Sequence, residues 1–423
     1  MGNKFNKYLA GALFVFVALT ANESAFGKNY TIIHSFTGGA DGGTPGAGFV
    51  ADKSGNLYST SVSGGSFNEG TVFEIAPDGT ETVLYSFTGG SDGAQPQSTP
   101  VFDKHANLYG TTTAGGANDL GTVFKLAPDG TETVLHAFAG GTYDGSSPEA
   151  GLIIDAKGNL YGTTEENGSG ACGCGTVFEI TSNGVEKLLY SFRGSPDGSY
   201  PVASLVADGA GNLYGTTLGG GIESNFCGVG CGTVFKLVRH GKSHWKESLV
   251  YFFLGGGNDA TNPDSNLIFD KAGNLYGTAN LGGDYNVCHF GGCGAVFKLS
   301  PAKKIWIETL LHIFEGGTDG ASPYGGVIED KSGNLYGATF EGGSSDKQCN
   351  AFSSGCGIVY RLAPDDTEAI LHTFVGSPKD GSGPQASLFD DGKGNLYGTT
   401  DEGGSHLSCF EDQGCGTVFR IGK

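Results

Sequence analysis

The chain has 423 residues and a formal net charge of −20, and 77 of its residues are glycine. The acidic charge excludes nucleic acid and anionic membrane surfaces as partners. The glycine shows no G-x-y period, which excludes collagen, and 28 Phe with 17 Tyr are enough for a large hydrophobic core.

The N-terminal residues predict a secretory signal peptide over residues 1–27. Lys4 and Lys7 give a positive start, and an apolar stretch then runs over residues 9–21. This stretch is too short for a comfortable membrane span, and no second apolar run follows. We therefore expect a soluble, monomeric mature chain without a membrane anchor, exported to the periplasm or the medium.

A unit of 51 to 62 residues occurs seven times along the rest of the chain. Each unit holds four short β candidates: a brief apolar run, N-L-Y-G-T-T, G-T-V-F-K-L and T-V-L-H-A-F. Four strands per unit are typical of a propeller blade, so residues 28–423 are predicted to form one all-β domain, a seven-bladed β-propeller. The N-L-Y strings begin at Asn56, Asn107, Asn159, Asn212, Asn274, Asn334 and Asn395.

Turn chemistry separates the four strands. The first turn reads D-x-x-G-N, in which Asp accepts backbone hydrogen bonds and Gly takes the left-handed position, and only the second repeat departs, with Ala106. The third turn reads P-D-G-T in the first two repeats. The fourth and fifth repeats replace it with longer segments that carry Trp245 and Trp306.

The two ends of the repeat region are out of phase. Residues 31–36 match a fourth strand, whereas residues 416–421 match a third strand, so the last blade lacks its outer strand. The N-terminal strand is predicted to fill that place and close the ring, which removes two open sheet edges.

The motifs G-T-V-F-K-L-A-P-D-G-T-E-T-V-L-Y-S-F-T-G-G, D-G-x-x-P and G-N-L-Y-G-T-T resemble the GloVer tandem repeat of bacterial exported proteins. The resemblance covers nearly all of residues 31–421. It implies export and a repeat architecture, and it carries no activity and no catalytic residue. GloVer proteins have varied C-terminal anchors, and this chain is expected to have none.

The D-G-x-x-P motif between successive repeats supplies the candidate binding face. In a propeller these loops share one face, and their carboxylates could hold a cation, with calcium as the candidate cofactor, or a hydroxyl-rich ligand. The alternative is that each Asp caps its own turn and Pro fixes the entry to the inner strand. Glu165, Glu166 and Asn167 interrupt the repeat pattern and predict an asymmetric part of this face. The motif's carboxylates are Asp41, Asp92, Asp144, Asp197, Asp259, Asp319 and Asp380.

The ten cysteines form five close pairs in the loops between second and third strands of repeats three to seven. In an exported protein, such pairs predict local disulfides that stiffen enlarged loops. Zinc is the rival interpretation, although the spacings match no zinc finger. A bond across one residue would be strained, so the first pair is left open. The pairs are Cys172 with Cys174, Cys227 with Cys231, Cys288 with Cys293, Cys349 with Cys356, and Cys409 with Cys415.

No nucleophile elbow or Ser-His-Asp pattern stands out from the repeats. His34, His136, His312 and His372 share one repeat position with tyrosines, which indicates packing. The sequence therefore favours a non-catalytic binding or surface-interaction module with an unknown extracellular ligand or protein partner. The alternatives are a metal-dependent, lactonase-like or lyase-like enzyme with a site at the channel mouth, and a purely structural envelope protein.

Overall fold

The computed structural model describes residues 29–170, 172–241, 244–257, 259–283, 288, 291–343, 349, 355–409 and 413–423. These residues form seven four-stranded antiparallel sheets, one per repeat, arranged as the predicted propeller. The predicted signal peptide lies outside the described residues. No helix among the described residues has the length and apolar character needed to cross a membrane.

The blades are numbered by repeat, and their strands run from the central channel outwards. Blade 1 contains Val50–Ala51, Leu57–Ser61, Thr71–Ile75 and Glu81–Ser86. Blade 2 contains Val101–Phe102, Leu108–Thr112, Thr122–Leu126 and Glu132–Ala137. Blade 3 contains Ile153–Ile154, Leu160–Thr164, Thr176–Ile180 and Glu186–Ser191. Blade 4 contains Val206–Ala207, Leu213–Thr217, Thr233–His240 and His244–Phe252. Blade 5 contains Ile268–Phe269, Leu275–Ala279, Ala295–Ala302 and Ile305–Ile313. Blade 6 contains Ile328–Glu329, Leu335–Thr339, Ile358–Leu362 and Glu368–Thr373. Blade 7 contains Phe389–Asp390, Asn395–Thr400, Thr417–Gly422 and Tyr30–Ser35.

The outer strand of blade 7 comes from the N-terminus, as the phase of the repeats predicts. Tyr30 pairs with Ile421 and Ser35 with Thr417 in antiparallel register. The chain ends therefore share one sheet, and hydrogen bonds hold both of them there.

Aromatic pairs between neighbouring blades form the core. The Phe that follows each outer strand is fully buried and meets an aromatic ring on the third strand of the next blade. Phe36 and Phe73 join blades 7 and 1 with ring centroids 5.1 Å apart, and Phe87 and Phe124 join blades 1 and 2 at the same distance. The recurring Gly of N-L-Y-G leaves room for this ring, because a Cβ at Gly110 would lie 2.6 Å from Phe124.

The first turns have the predicted chemistry, and blade 2 shows how its departure is accommodated. Asp103 accepts hydrogen bonds from the backbone N–H groups of His105 and Asn107, at 2.8 and 2.9 Å. Ala106 takes the left-handed conformation with a φ of 62°, where the other repeats have Gly. The aspartate network therefore holds the turn even with a residue that disfavours this conformation.

Two sets of loops lie side by side on one face, which we call the loop face. The D-G-x-x-P loop of each blade pairs with the loop between its second and third strands, through two-residue strands in four blades and single bridges in three. The two-residue strands are Gly145–Ser146 with Glu166–Asn167, Gly198–Ser199 with Gly219–Gly220, Ala260–Thr261 with Leu281–Gly282, and Gly381–Ser382 with Glu402–Gly403. One 3-10 turn, Gly317–Asp319, lies in the blade 5–6 loop. The first and third turns of each blade lie on the opposite face, which we call the turn face.

Candidate functional site

All five predicted cysteine pairs are disulfides, and the pair that the sequence left open is among them. None of the ten cysteines is a free thiol, so the rival zinc interpretation has no ligands here. The second cysteine of each pair is buried, with at most 2% of its surface exposed. The bonds join Cys172 with Cys174, Cys227 with Cys231, Cys288 with Cys293, Cys349 with Cys356, and Cys409 with Cys415.

Several of these disulfides lie against the glycines that follow the outer strands. A Cβ at Gly316 would lie 3.0 Å from Cys288 Sγ and 3.4 Å from Cys293 Sγ, and Gly316 has a φ of +70°. A Cβ at Gly38 would meet Cys409 and Cys415 in the same way. The disulfides thus pack the loops between second and third strands onto the D-G-x-x-P loops and stiffen the loop face.

The D-G-x-x-P carboxylates lie among the outer strands. In every repeat the Asp accepts a backbone N–H from the start of its own loop, as Asp92 does from Thr88 at 2.8 Å. It also faces the His or Tyr of the preceding outer strand. The Tyr85 hydroxyl donates to Asp92 at 3.0 Å, and His136 Nε2 lies 3.0 Å from Asp144. Each carboxylate is therefore engaged by its own turn, and the central cavity is lined by other residues.

These contacts shift the pKa of several of the aspartates. Burial alone would raise the pKa of Asp92, but hydrogen bonds from Thr88 and Tyr85 lower it below its usual value. Asp144 and Asp319 follow the same rule, with His136 and His312 as the partners. Asp259 is the exception, since its burial outweighs its hydrogen bonds and raises its pKa. Contacts within their own junctions thus favour the anionic form of Asp92, Asp144 and Asp319.

A glutamate at the start of the outer strand completes six of the seven contacts between blades, and it was not among the residues predicted from the sequence. Its Oε1 is buried without a hydrogen-bond partner in six blades. Burial, helped by the charge of Asp41, raises the pKa of Glu81 to about 7. The recurring E-T-V-L string was the available signal. The six are Glu81, Glu132, Glu186, Glu247, Glu308 and Glu368, and blade 7 has Tyr30 in this place.

One of these inter-blade clusters has a metal-like donor set. His312 Nε2 lies 3.3 Å from Asp319 and 3.8 Å from Glu368, and the three donor atoms lie within 4.8 Å of one another. No other group of three such residues in the described ranges meets this test. The same positions between blades 1 and 2 hold Tyr85, Asp92 and Glu132. A phenol thus replaces the imidazole at an equivalent contact. This replacement favours a structural role for the cluster, in joining two blades, over metal binding.

The central cavity has a volume of about 100 Å³ and is lined by the residues that follow the Pro of D-G-x-x-P. Behind them, a Thr hydroxyl on the second strand donates to a carbonyl of the next blade, as Thr399 does to Ala47 at 2.9 Å. This tie recurs in six blades, and Ala338 replaces the Thr in blade 6.

The residue directly after Pro differs in nearly every blade, although its surroundings repeat. In four blades it contacts the residue that follows the second strand, so that each blade presents its own pair of side chains. We call these fourteen positions the channel ring. In blade order the pairs are Gly46/Val62, Gln97/Thr113, Glu149/Glu165, Val202/Leu218, Asp264/Asn280, Tyr324/Phe340 and Gln385/Asp401.

Blade 3 brings two of the sequence-predicted acids into or near this ring. Glu165 lies beside Glu149, and burial together with the Glu165 charge raises the pKa of Glu149 to about 7. Glu166 is exposed. Asn167 turns outwards, donating to Ser146 Oγ at 2.5 Å and accepting the Gly141 N–H at 3.1 Å.

Blades 5 and 7 carry polar pairs of a similar kind. Asn280 donates to Asp264 at 2.8 Å, and burial raises the pKa of Asp264 well above its usual range. The Gln385 amide donates to Asp401, whose pKa is raised to about 7 by burial and by Glu402. Three buried side-chain oxygens of these pairs, Asp264 Oδ1, Asn280 Oδ1 and Asp401 Oδ1, have no hydrogen-bond partner among the described residues.

Blade 6 contributes an aromatic pair. Tyr324 and Phe340 meet edge to face at 5.5 Å, and Tyr324 remains 38% exposed. Burial and the nearby Asp264 raise the pKa of Tyr324. The ring thus combines carboxyl groups, amides and an aromatic surface at one place, which is typical of a binding site. The residues after Pro were not predicted as site residues, because they form no recurring motif and are marked only by their variation from blade to blade.

Comparison with known proteins gives a family and a fold. The model of a repeat described as the Gloeobacter/Verrucomicrobia repeat matches residues 10–229 and 288–423. No curated protein matches the chain.

Solved structures resemble the chain at low identity. A fungal alcohol oxidase of the AA5 family, in complex with copper, shares 10% identity over 92% of this chain and 75% of its own, with a TM-score of 0.58. A puromycin hydrolase shares 11% identity over 85% of this chain and half of its own length, with a TM-score of 0.53. A protein assigned as a 6-phosphogluconolactonase from Bacteroides uniformis has 13% identity over 78% of this chain and 84% of its own, with a TM-score of 0.49. At these identities the likeness concerns the fold alone.

Proposed function

The chain belongs to the Gloeobacter/Verrucomicrobia repeat family, and from that premise we propose that it is an exported, non-catalytic binding module whose ligand contacts the channel ring. The observation that carries the proposal is the contrast between this ring and the rest of the blades. Strands, turns, aromatic core and inter-blade contacts recur around the propeller, whereas the pairs of the channel ring change from blade to blade. A repeat that serves only the fold has no need for such changes.

The side chains of the ring favour a neutral, hydroxyl-rich ligand. Glu149 and Asp401 have pKa values raised to about 7, so protonated and ionised carboxyl groups are both present near neutral pH. Carboxyl and amide groups then offer donors and acceptors side by side, which suits hydroxyls better than a fixed positive charge. The exposed face of Tyr324 adds an apolar surface.

The size of the cavity limits how the ligand enters. A volume of about 100 Å³ admits only a small group, so most of the ligand lies on the loop face outside it. The disulfide-linked loops of blades 3 to 7 surround that area, and the long loops of blades 4 to 7 are expected to make most contacts. Five disulfides suit an oxidising compartment, which supports the export in this proposal.

Calorimetric titration with a panel of neutral mono- and disaccharides tests the proposal. We expect at least one to bind, and Glu149→Gln or Tyr324→Ala to weaken it by about tenfold or more, as loss of one well-placed contact does. Glu329→Gln, an exposed acid on the turn face, is the matched control and should bind like the parent. Binding that survives both ring variants would contradict the proposed site. No binding by the parent would contradict the ligand class.

One observation on the channel ring supports the alternative hypothesis that the protein is an enzyme. Carboxyl groups with pKa near 7, such as Glu149 and Asp401, suit general acid–base chemistry at neutral pH. A lactonase-like activity would show as hydrolysis of simple lactones, lost in Glu149→Gln and Asp401→Asn and kept in Glu329→Gln on the turn face.

A further inference from the structure

The turn face has cavities at the blade 7–1 and blade 5–6 junctions, and tryptophan fills the equivalent place at two other junctions. At the blade 3–4 junction, Trp245 packs with the hydrophobic cluster that includes Tyr161, Leu213 and Leu237. Its ring centroid lies 6.2 Å from that of Tyr161. Trp306 occupies the same position at the blade 4–5 junction, 6.5 Å from Tyr214. Both indoles come from the extended hairpins of blades 4 and 5.

The blade 7–1 junction has the same walls and no indole. The registers of the strands make Tyr397, Leu57 and Ile75 the equivalents of Tyr161, Leu213 and Leu237. All three line a cavity of about 460 Å³, together with Ile33 and Phe389. Blade 1 has the short turn P-D-G in place of the extended hairpin, so it has no residue equivalent to the indole that fills the other grooves.

One small residue helps to keep this cavity large. Ala51 lies at the position held by Ala207 in the groove that Trp245 fills. Blade 2 has Phe102 there, packed edge to face on Tyr58 at 5.0 Å. At the blade 5–6 junction the position holds Glu329, and the cavity is about 280 Å³. The blade 4–5 groove has Phe269 at this position, 5.1 Å from Tyr214, together with Trp306, so these walls accept an indole beside a large residue as well as beside a small one. The space in the blade 7–1 groove therefore follows first from the absence of tryptophan, and Ala51 adds to it.

The charged groups with free hydrogen-bond donors at this groove are cations. Lys53, Lys393 and Arg420 line it, and none of them forms an ion pair with a described residue. Three carboxylates in the same walls balance these charges, but each accepts backbone N–H groups of its own turn: Asp52 from Ser54 and Asn56, Asp78 from Thr80, and Asp391 from equivalent residues of blade 7. An anionic ligand group would therefore be held by the donors of the three cations and not by a net positive charge.

We propose that the blade 7–1 groove binds a small aromatic acid, with its ring where Trp245 lies at the blade 3–4 junction and its anionic group at Lys53, Lys393 and Arg420. The chain itself shows which chemistry these walls accept, because they hold an indole at two other junctions. A cavity of about 460 Å³ is in the range of small-molecule sites. This site lies on the turn face, is independent of the channel ring, and does not depend on the proposed function.

Titration of the purified protein with N-acetyl-tryptophan and N-acetyl-tryptophanamide tests the two halves of the proposal. We expect one site per chain and about tenfold tighter binding of the acid, since a charge-assisted contact contributes on that order. Lys53→Ala with Lys393→Ala should reduce the affinity of the acid to that of the amide. Equal affinities in the parent would overturn the anion part, and no binding of either probe would overturn the whole site.

Filling the groove provides the second test. Replacing residues 76–80, the short turn of blade 1, by residues 238–246 of blade 4 brings the hairpin with Trp245 to this groove and should abolish binding of both probes. The control is the same replacement with Ala in place of Trp245, which should bind like the parent. Undiminished binding by the hairpin that carries the tryptophan would place the ligand elsewhere.

Opening a filled groove provides the third test. Trp245→Ala should create a second site at the blade 3–4 junction, so that the amide binds at two sites per chain and raises the melting temperature more than it does in the parent. Gly209 and Glu179 replace Lys53 and Arg420 there, so the new site should not prefer the acid. A folded Trp245→Ala variant with only one site would contradict the equivalence of the two grooves.

Discussion

The inter-blade clusters at the outer strands and the channel ring belong to the same seven repeats, yet they behave in opposite ways. The clusters keep their pattern, with an Asp, a His or Tyr, and a Glu at six junctions. The channel ring varies, from Gly46 in blade 1 to Glu149 in blade 3 and Tyr324 in blade 6. The comparison teaches that the strongest repeated polar motif mainly serves the joints between blades, while the positions that escape repetition are the better guide to a ligand.

Removing the N-terminal strand should have the largest effect on the repeated part. A chain that starts at Gly38 loses the outer strand of blade 7, the Phe36–Phe73 pair and the Tyr30 hydroxyl bond to Asp380. We expect loss of cooperative thermal unfolding by circular dichroism, because blade 7 then has an exposed edge and an open core. A melt identical to that of the chain starting at Asn29 would contradict this role of the strand.

The clusters should also make stability depend on pH. Four of the glutamates have pKa values raised to about 7 in the folded protein, above the ordinary 4.5 of an exposed Glu, as burial favours the protonated form. Their stabilising contribution is complete below pH 4.5 and is lost as the pH rises through about 7. The melting temperature should therefore fall as the pH rises from about 4.5 to about 7, the range in which the folded protein binds more protons than the unfolded chain.

At low pH the aspartates make stability change with pH in the opposite direction. The pKa values of Asp92, Asp144 and Asp319 are lowered, so their contribution is lost as the pH falls through those values. Glu308→Gln keeps a donor for Asp259 without a titrating proton, and should reduce the loss of stability as the pH rises from about 4.5 to about 8. A melting temperature in the parent that does not change between pH 4.5 and pH 7 would contradict the buried protonated glutamates.

Loss of a single loop carboxylate should have a moderate effect. Asp197→Asn and Asp319→Asn should each lower the free energy of unfolding by about 0.5–2 kcal/mol, by analogy with lost helix caps, when measured by denaturant titration. Calcium held by these loops remains a separate hypothesis. It predicts a heat of calcium binding in the parent that both variants lose, and no heat in the parent would end it.

The Thr hydroxyl bonds around the central cavity should give the smallest change in the free energy of unfolding, and adding one should raise it. Ala338→Thr would add the hydroxyl that six other blades use to reach the next blade, and we expect about 0.5–1.5 kcal/mol of added stability, the usual net value of one hydrogen bond. Thr278→Val is the matched loss, since it removes the bond to Gly325. Destabilisation by Ala338→Thr would show that blade 6 has no room for the hydroxyl.

Much of the fold could be predicted because its signals are local and repeated. Strand composition, the D-x-x-G-N turns and the phase of residues 31–36 against 416–421 were sufficient for the blade, the ring and its closure. Four disulfides were predictable because each pair lies within one short loop, whereas the bond of Cys172 with Cys174 could not be decided from its spacing. The family resemblance added the same architecture and no residue roles.

The candidate sites were less accessible from sequence, for physical reasons. The orientation of Asp92 towards Tyr85 and Glu132 depends on the twist that brings neighbouring outer strands together, and no local pattern encodes it. The contact of Asp264 with Asn280 spans 16 residues and two loops. The role of Asp41, Asp92, Asp144, Asp197, Asp259, Asp319 and Asp380, and of Glu165, Glu166 and Asn167, in ligand binding stays a prediction.

The pairing of Tyr30 with Ile421 also constrains when the propeller can form. Ribosomes synthesise residues 30–35 first, and this strand has no native partner until residues 417–422 have been made. Six blades can assemble as the chain grows, but the final closure must join segments separated by nearly the whole sequence, which is a slow step for entropic reasons. During that interval the unfinished seventh blade exposes strand edges, and it is the stage at which the nascent chain is most open to aggregation or proteolysis.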